Sequence, residues 1–247
     1  GGTVDREMPV FLNFLINIEP LPLNLRLWVR VFFEDESSQL FDPKRLTKVE
    51  QYSLLTVPVG FDALELGTIE QASGRIVRYE VYLSDENGLR LSEIRTYYVN
   101  DEYERWVRYV VFQHSLGGWD TLRCTGEWDR QLSVANLTAE RGLKMGYLPS
   151  SEELFVLGKR GERFLTVRTG VMDDPAWLDY MEEVAWSERV FVVAKEGLVS
   201  VVLADEVYMP KGDNEYLGSR EFRFKQAKQA VGYSDLPIGA LPMNRPT

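Results

Sequence analysis

The sequence predicts a mainly β protein: two antiparallel β-sandwich-like domains, the second with one packed α-helix at about residues 174–187. Three observations lead there. RIVRYEVYL at 75–83 alternates, with Val77, Tyr79, Val81 and Leu83 on one face and Arg78, Glu80 and Tyr82 on the other, which is the period of two of a half-buried strand. About six such segments, separated by turn residues, fall in the first hundred residues, a spacing that suits a sandwich. Strands do not alternate with helices along the chain, so a parallel nucleotide-binding sheet is not expected.

Taken in order, strands are expected at 10–18, 25–34, 51–57 and 61–70. The second has Leu27, Val29, Val31 and Phe33 facing one way and Arg26, Trp28, Arg30 and Phe32 the other. FDPKRLT at 41–47 reads as a loop, because Pro43 has no amide for a ladder and Asp42-Pro43 favours a turn. The strand at 75–83 runs through SDENG into LRLSEIRTYYV at 89–99, and Asn87-Gly88 suits the positive φ of a tight hairpin. Further strands are expected at 104–113 and 119–128. Residues 133–152 read as a long connection, followed by a strand at 163–172.

One helix is expected next, in DDPAWLDYMEEVAWSER. Asp174 can accept from free amides as N-cap, with Pro175 at the first helical position. Trp177, Met181, Val184 and Ala185 make an apolar stripe at i, i+4, i+7 and i+8. Strands at 189–195, 198–209 and 220–228 follow, with turns in KEGL and PKGDNEYLG. The tail DLPIGALPMNRPT, with three prolines, reads as an extended arm. This organisation divides the chain into a sandwich of the immunoglobulin or fibronectin kind over 1–102 and a β-rich domain with one helix and an extended tail over 103–247.

The chain has 247 residues, 38 acidic against 28 basic, and a net charge of −10. A field of that sign repels phosphate backbones, and no Lys/Arg cluster opposes it, so nucleic acid is not an expected partner. No apolar run of about 18 residues is present, so no membrane insertion is expected. The start lacks the basic charge of a signal peptide. A single cysteine makes no internal disulfide, and Cys124 with His114 supplies two ligands where structural zinc needs four.

HSLGGWDTLRCTGEW at 114–128 holds the only histidine and the only cysteine, with Asp120 between them. A cysteine nucleophile needs a base within hydrogen-bond reach. If 104–113 and 119–128 are neighbouring strands joined at Gly117-Gly118, Cys124 lies over ~10 Å from the turn that holds His114. Cys124 is therefore expected as a small core residue, and Trp119 with Leu122 as core contributors. The acidic pairs have structural readings. Asp173-Asp174 cap a helix, Asp85-Glu86 and Asp101-Glu102 sit in turns, and Asp205-Glu206 lie on a strand. GDNE at 212–215 has oxygen ligands but not the spacing of an EF-hand loop. P-loop, GxGxxG, HExxH, GxSxG and CxxC motifs are absent. No catalytic, cofactor or metal residue is assigned, and no enzyme is expected. The aromatics Trp28, Trp106, Trp119, Trp128, Tyr97 and Tyr98 could stack on sugars where exposed.

RIVRYEVYLSDENGLRLSEIRTYYV, RYVVFQHSLGGWDTLRCTG and the stretch from LPSSEELFVLGKRGERFLTVRTG to SERVFVV together resemble β-rich proteins of prophage-type tail modules in gut bacteria. The likeness covers about residues 75–228 and is carried by HSLGGWDTLRCTG, LPSS, VRTG and a helix followed by a valine-rich strand. It implies a non-enzymatic tail-tip or baseplate component. Such a component forms a homo-oligomer, contacts other structural proteins, and resides in a virion or extracellular particle after cytoplasmic assembly. The alternative is a secreted or cell-surface carbohydrate-binding or adhesion module.

Overall fold

The computed structural model of the protein describes residues 2–47, 49–142, 145–146, 148, 151–171, 175–195, 197–204 and 218–227. The fold is mainly β. The first hundred residues hold β1 (Gly2–Asp5), β2 (Phe11–Leu15), β3 (Leu25–Phe33), β4 (Ser38–Leu46), β5 (Leu54–Pro58), α1 (Leu66–Ser73), β6 (Ile76–Ser84) and β7 (Arg95–Asn100). Five of these strands form one sheet in the order β1-β7-β6-β3-β4, while β2 and β5 pair as a separate ribbon. All pairs are antiparallel except β1 with β7, which run parallel.

The alternation in β3 does what the sequence predicts. Leu25, Leu27, Val29, Val31 and Phe33 are buried, and they meet Tyr79, Val81 and Leu83 of β6 on the same face. Val77 departs from the expected pattern and is exposed while Ile76 is buried, because the register slips between Phe32 and Phe33. The layer over this face is small. It consists of the β2–β5 ribbon and the segment through α1, which contribute Val57, Val59, Phe61, Leu64 and Leu66. Tyr79 stacks on Tyr97 at 5.2 Å and donates its hydroxyl proton to the Val59 carbonyl at 3.0 Å.

Three expectations in this half are corrected. Residues 61–70 form a turn and the start of α1 rather than a strand. Of the α1 residues Leu66 is the buried one. FDPKRL, all of that segment but Thr47, is part of β4, not a loop. Pro43 is tolerated because β4 is an edge strand and the register shifts beside it, between Leu27 and Val29 of its neighbour. The 89–99 strand begins at Arg95. Its hairpin forms as expected at Gly88, φ 87°, and is held by two backbone amides donating to the Asp85 carboxylate.

The second half holds β8 (Arg108–Gln113), β9 (Trp119–Cys124), β10 (Asp129–Glu140), β11 (Leu154–Arg168), α2 (Pro175–Tyr180), α3 (Glu182–Trp186), β12 (Val190–Ala194), β13 (Gly197–Leu203) and β14 (Glu221–Gln226). Its seven strands run antiparallel in the order β10-β11-β14-β13-β12-β8-β9. The two ends of this sheet meet. Past β9, the amides of Thr125 and Gly126 donate to the carbonyls of Thr169 and Arg168, and the chain then continues as β10 alongside β11. The sheet thus curls into a barrel-like closure around Val110, Phe112, Leu122, Cys124, Leu165, Val167, Phe222 and Phe224. A Cβ at Gly126 would lie 2.6 Å from the Arg168 Cβ, so the seam depends on glycine there.

The predicted helix is two short ones. At Met181 the bonding tightens to i+3, with the Val184 amide on the Met181 carbonyl at 3.1 Å. Met181 and Val184 are buried against the sheet as expected, but Trp177 is 44% exposed and rests edge-on against Tyr180 instead. The cap at Asp173-Asp174 lies outside the described residues, as do Asp205-Glu206, GDNE and the proline-containing tail. The largest correction concerns residues 133–152. Their first eight residues are not connection but strand, for β10 runs unbroken to Glu140 and β11 starts at Leu154.

Candidate functional site

The segment around the single histidine and cysteine is a hairpin, as the sequence implies. Gln113 pairs with Trp119 and Arg108 with Cys124, so His114 and Cys124 stand at opposite ends of the β8–β9 ladder. His114 closes the turn: its amide donates to the Gly118 carbonyl, its carbonyl accepts from Gly117, and its Nδ1 accepts the Leu116 amide. Asp120 accepts the Tyr180 hydroxyl at 2.6 Å. Cys124 is fully buried, and burial pushes its thiol up to about 12. Among the described residues the one hydrogen-bond partner of its sulfur is the Leu122 carbonyl, at 4.0 Å. A thiol reagent such as DTNB is therefore expected to leave the native protein unlabelled and to titrate one thiol after denaturation; rapid labelling of the folded chain would contradict this burial.

The hairpin does have a structural role, which the sequence did not signal. Asn13 of β2 donates to the Trp119 carbonyl and accepts both the Trp119 amide and the Thr56 hydroxyl. A Cβ at Gly118 would lie 2.6 Å from the Asn13 Cγ and 2.4 Å from the His114 Nε2. Glycine at 118 thus allows the turn to dock on the β2–β5 ribbon. Trp119 is half-buried and lies beside Phe191 at 5.7 Å; Leu122 and Cys124 supply the core.

A second clamp joins the halves at Asp5. Its Oδ2 accepts the Tyr109 hydroxyl at 2.8 Å and Nε of Arg123 at 2.6 Å, and its Oδ1 accepts the Asn100 amide at 2.7 Å. Burial alone would raise this carboxyl, but the bonds from Arg123, Tyr109 and Asn100, with the Arg123 charge, hold it below its ordinary range. Asp101 is likewise committed, to Arg6 and Arg75. These acidic groups serve turns and ion pairs.

The aromatic residues divide. Tyr97 is buried, and Trp106 and Tyr98 are 41% and 55% exposed. On the outer face of the first sheet Trp28 pairs with Tyr82, and Phe32 with Arg78. Two of these rings are already engaged: Trp28 donates to Ser84, and Arg78 lies 3.6 Å over the Phe32 ring. A cleft of about 470 Å³ is lined by Tyr109, Trp128, Val192 and the cations Arg108, Arg130 and Lys195, with Glu7 its single carboxylate. The described residues include no cluster of three or more potential metal ligands and no helix long and apolar enough to cross a membrane.

The most unusual surface is the β10–β11 hairpin. β14 supports β11 only from Phe164 to Arg168. Beyond that, among the described residues, β11 pairs with β10 alone, out to Glu140 opposite Leu154. About ten paired positions at about 3.3 Å each give a two-stranded arm roughly 30 Å long. Nearly every residue of β10 is exposed on both faces. Leu132, Val134, Leu137, Leu154, Val156 and Leu157 are each 49–65% exposed. The arm also differs in charge from the rest of the chain. Residues 130–163 hold six basic and four acidic residues, against 22 and 34 elsewhere. An isolated two-stranded ribbon is marginal in water, and aliphatic side chains on both its faces gain nothing until another surface covers them.

No family model matches the chain, and neither does any curated protein or solved structure.

Proposed function

We propose that the protein is a non-enzymatic structural component of a larger assembly, and that the β10–β11 arm is the element through which it joins its neighbours. The observation that carries this reading is the arm itself: a two-stranded ribbon, backed by no third strand among the described residues, whose leucines and valines are exposed. Protein–protein contact suits it better than glycan binding, because aliphatic side chains offer close packing where sugars call for exposed aromatic rings. The placement in a phage-tail-type tip or baseplate, and so in a virion or extracellular particle, rests on the sequence resemblance.

The test is sedimentation of the whole chain beside a variant in which residues 132–162 are replaced by an Asn-Gly turn. The intact protein is expected to self-associate and the variant to run as a monomer with its melting transition retained. An intact chain that stays strictly monomeric up to roughly 100 μM, where even weak specific contacts populate, overturns the reading.

A further inference from the structure

We infer that the partner of the arm is a second copy of this chain, bound edge to edge through β10 in an antiparallel, two-fold symmetric register centred on Ala135. This inference deepens the assembly reading above and rests on it.

β10 is the terminal strand of its sheet, and among the described residues its outer backbone edge is unpaired over twelve residues. Native edge strands usually carry a guard: a proline, a lysine, a bulge or short length. The edge strand β4 has Pro43, Lys44 and a register shift, and β1 is only four residues long. β10 has none of these. Its middle, Gln131 to Ala139, contains no charge and no proline. The one irregularity of the hairpin lies opposite it, since β11 carries the extra residue between Val156 and Gly158 and β10 runs on unbroken. This strand is built to accept another.

Its ends say which other. The charges of the segment are Asp129-Arg130 at one end and Glu140-Arg141 at the other. With Ala135 opposite its symmetry mate, Arg130 faces Glu140 of the second copy, twice over, and Asp129 faces Arg141. Leu132 then meets Thr138, Val134 meets Asn136, and Ser133 meets Leu137. Slipping the register by one residue either way reverses the electrostatics, setting Asp129 against Glu140 or Arg130 against Arg141. Charged pairs directly across an antiparallel ladder stabilise when opposite and destabilise when alike, so the segment encodes its own complement and its own register. Among the described residues Arg130 and Glu140 have no ion pair, whereas Asp129 holds Arg168 at 2.8 Å and Arg141 lies over the Phe155 ring. The Arg130–Glu140 pairs therefore dominate. The product is a four-stranded sheet, β11-β10-β10-β11, in which each ribbon gains the third strand it lacks.

The test uses the full chain with Arg130→Glu, Glu140→Arg, the double variant and Ala135→Lys, all at exposed positions of β10. Association is read by native mass spectrometry and sedimentation, and thermal melts check that each variant stays folded. Each single charge variant is expected to weaken the dimer at least about tenfold, because like charges then meet at both ends. A one-to-one mixture of the two single variants is expected to form a heterodimer, and the double variant to recover self-association. Ala135→Lys, which places two ammonium groups face to face, is expected to abolish the dimer. If the wild type associates and loses association on removal of the arm, yet the charge variants behave as wild type, the edge-pairing inference falls while the assembly reading stands. A strictly monomeric wild type removes both.

Discussion

Replacing Asp5 with alanine is expected to lower stability by about 2–3 kcal/mol, because it strands two groups that the fold has taken largely out of water. The Asp5 side chain is 15% exposed and that of Arg123 25%. Without the carboxylate, Arg123 keeps Glu104, at 3.2 Å, as its ion-pair partner among the described residues, and the buried Tyr109 loses the acceptor of its hydroxyl. For a chain of this size the melting temperature should fall by roughly 5–10 °C. Asp5→Asn retains the shape and one acceptor, and is expected to cost about half as much. Differential scanning calorimetry distinguishes these outcomes, and an alanine variant that melts with the wild type would show that the clamp contributes no net stability.

The same carboxylate gives the stability a pH dependence of definite sign. Its folded value lies below the ordinary one of 3.8. The group therefore contributes fully above the ordinary value, and its contribution is lost as pH falls through the folded value. Glu70, held down by Arg6 and the Ile76 amide despite the opposing effect of burial, acts in the same direction. Wild-type stability is thus expected to decline on going from about pH 5 toward pH 3. Asp5→Ala should show a shallower decline over that window, since one of the contributing carboxylates is gone.

The parts of the fold that the sequence revealed are those with one dry face and one wet one. β3 and β6 alternate because one side meets the core, and the period of two alone assigns Leu27, Val29 and Val31 to it, where they are buried. The β8–β9 hairpin was readable from its paired glycines, and the separation of His114 from Cys124 followed from strand geometry. β10 was missed for the opposite reason. A ribbon wet on both faces has no reason to alternate, and Ser133, Ala135 and Asn136 are poor strand formers. The residues that make the arm a candidate site are the ones that erase its signature as a strand. What could have found it is the neutral run from Gln131 to Ala139 bracketed by opposite charges, a pattern of pairing rather than of burial. β4 was lost to a rule about proline that holds for central strands, and α1, at eight residues with one of them buried, is too short to show a helical stripe. The clamps at Asp5 and Asn13 join residues about a hundred positions apart, and no local pattern reports such a contact.

Phe222→Ala is expected to cost more than any of these changes, about 3–5 kcal/mol. Phe222 and Phe224 are both fully buried, stacked at 5.9 Å, and they sit opposite Val167 and Leu165 in the ladder that roots the arm. Removing the ring leaves a cavity between β14 and β11 that the neighbouring strands cannot easily close, because the seam at Gly126 already brings β11 within van der Waals limits. The melting temperature should drop by roughly 10–15 °C. Phe222→Leu keeps most of the volume and should cost no more than about 1.5 kcal/mol. Trp177→Ala, a larger truncation at a 44% exposed position, should cost less than about 1 kcal/mol. If Trp177→Ala proved the more damaging of the two alanine changes, the core assigned to the second half would be wrong. The effect on association is expected to be different in kind. Below its lowered melting point the Phe222→Ala protein should still dimerise through β10, since the charged ends and the open edge are untouched. A variant that stays folded but loses the dimer would show that the angle of the arm, set at its root by β14, matters as much as the edge itself.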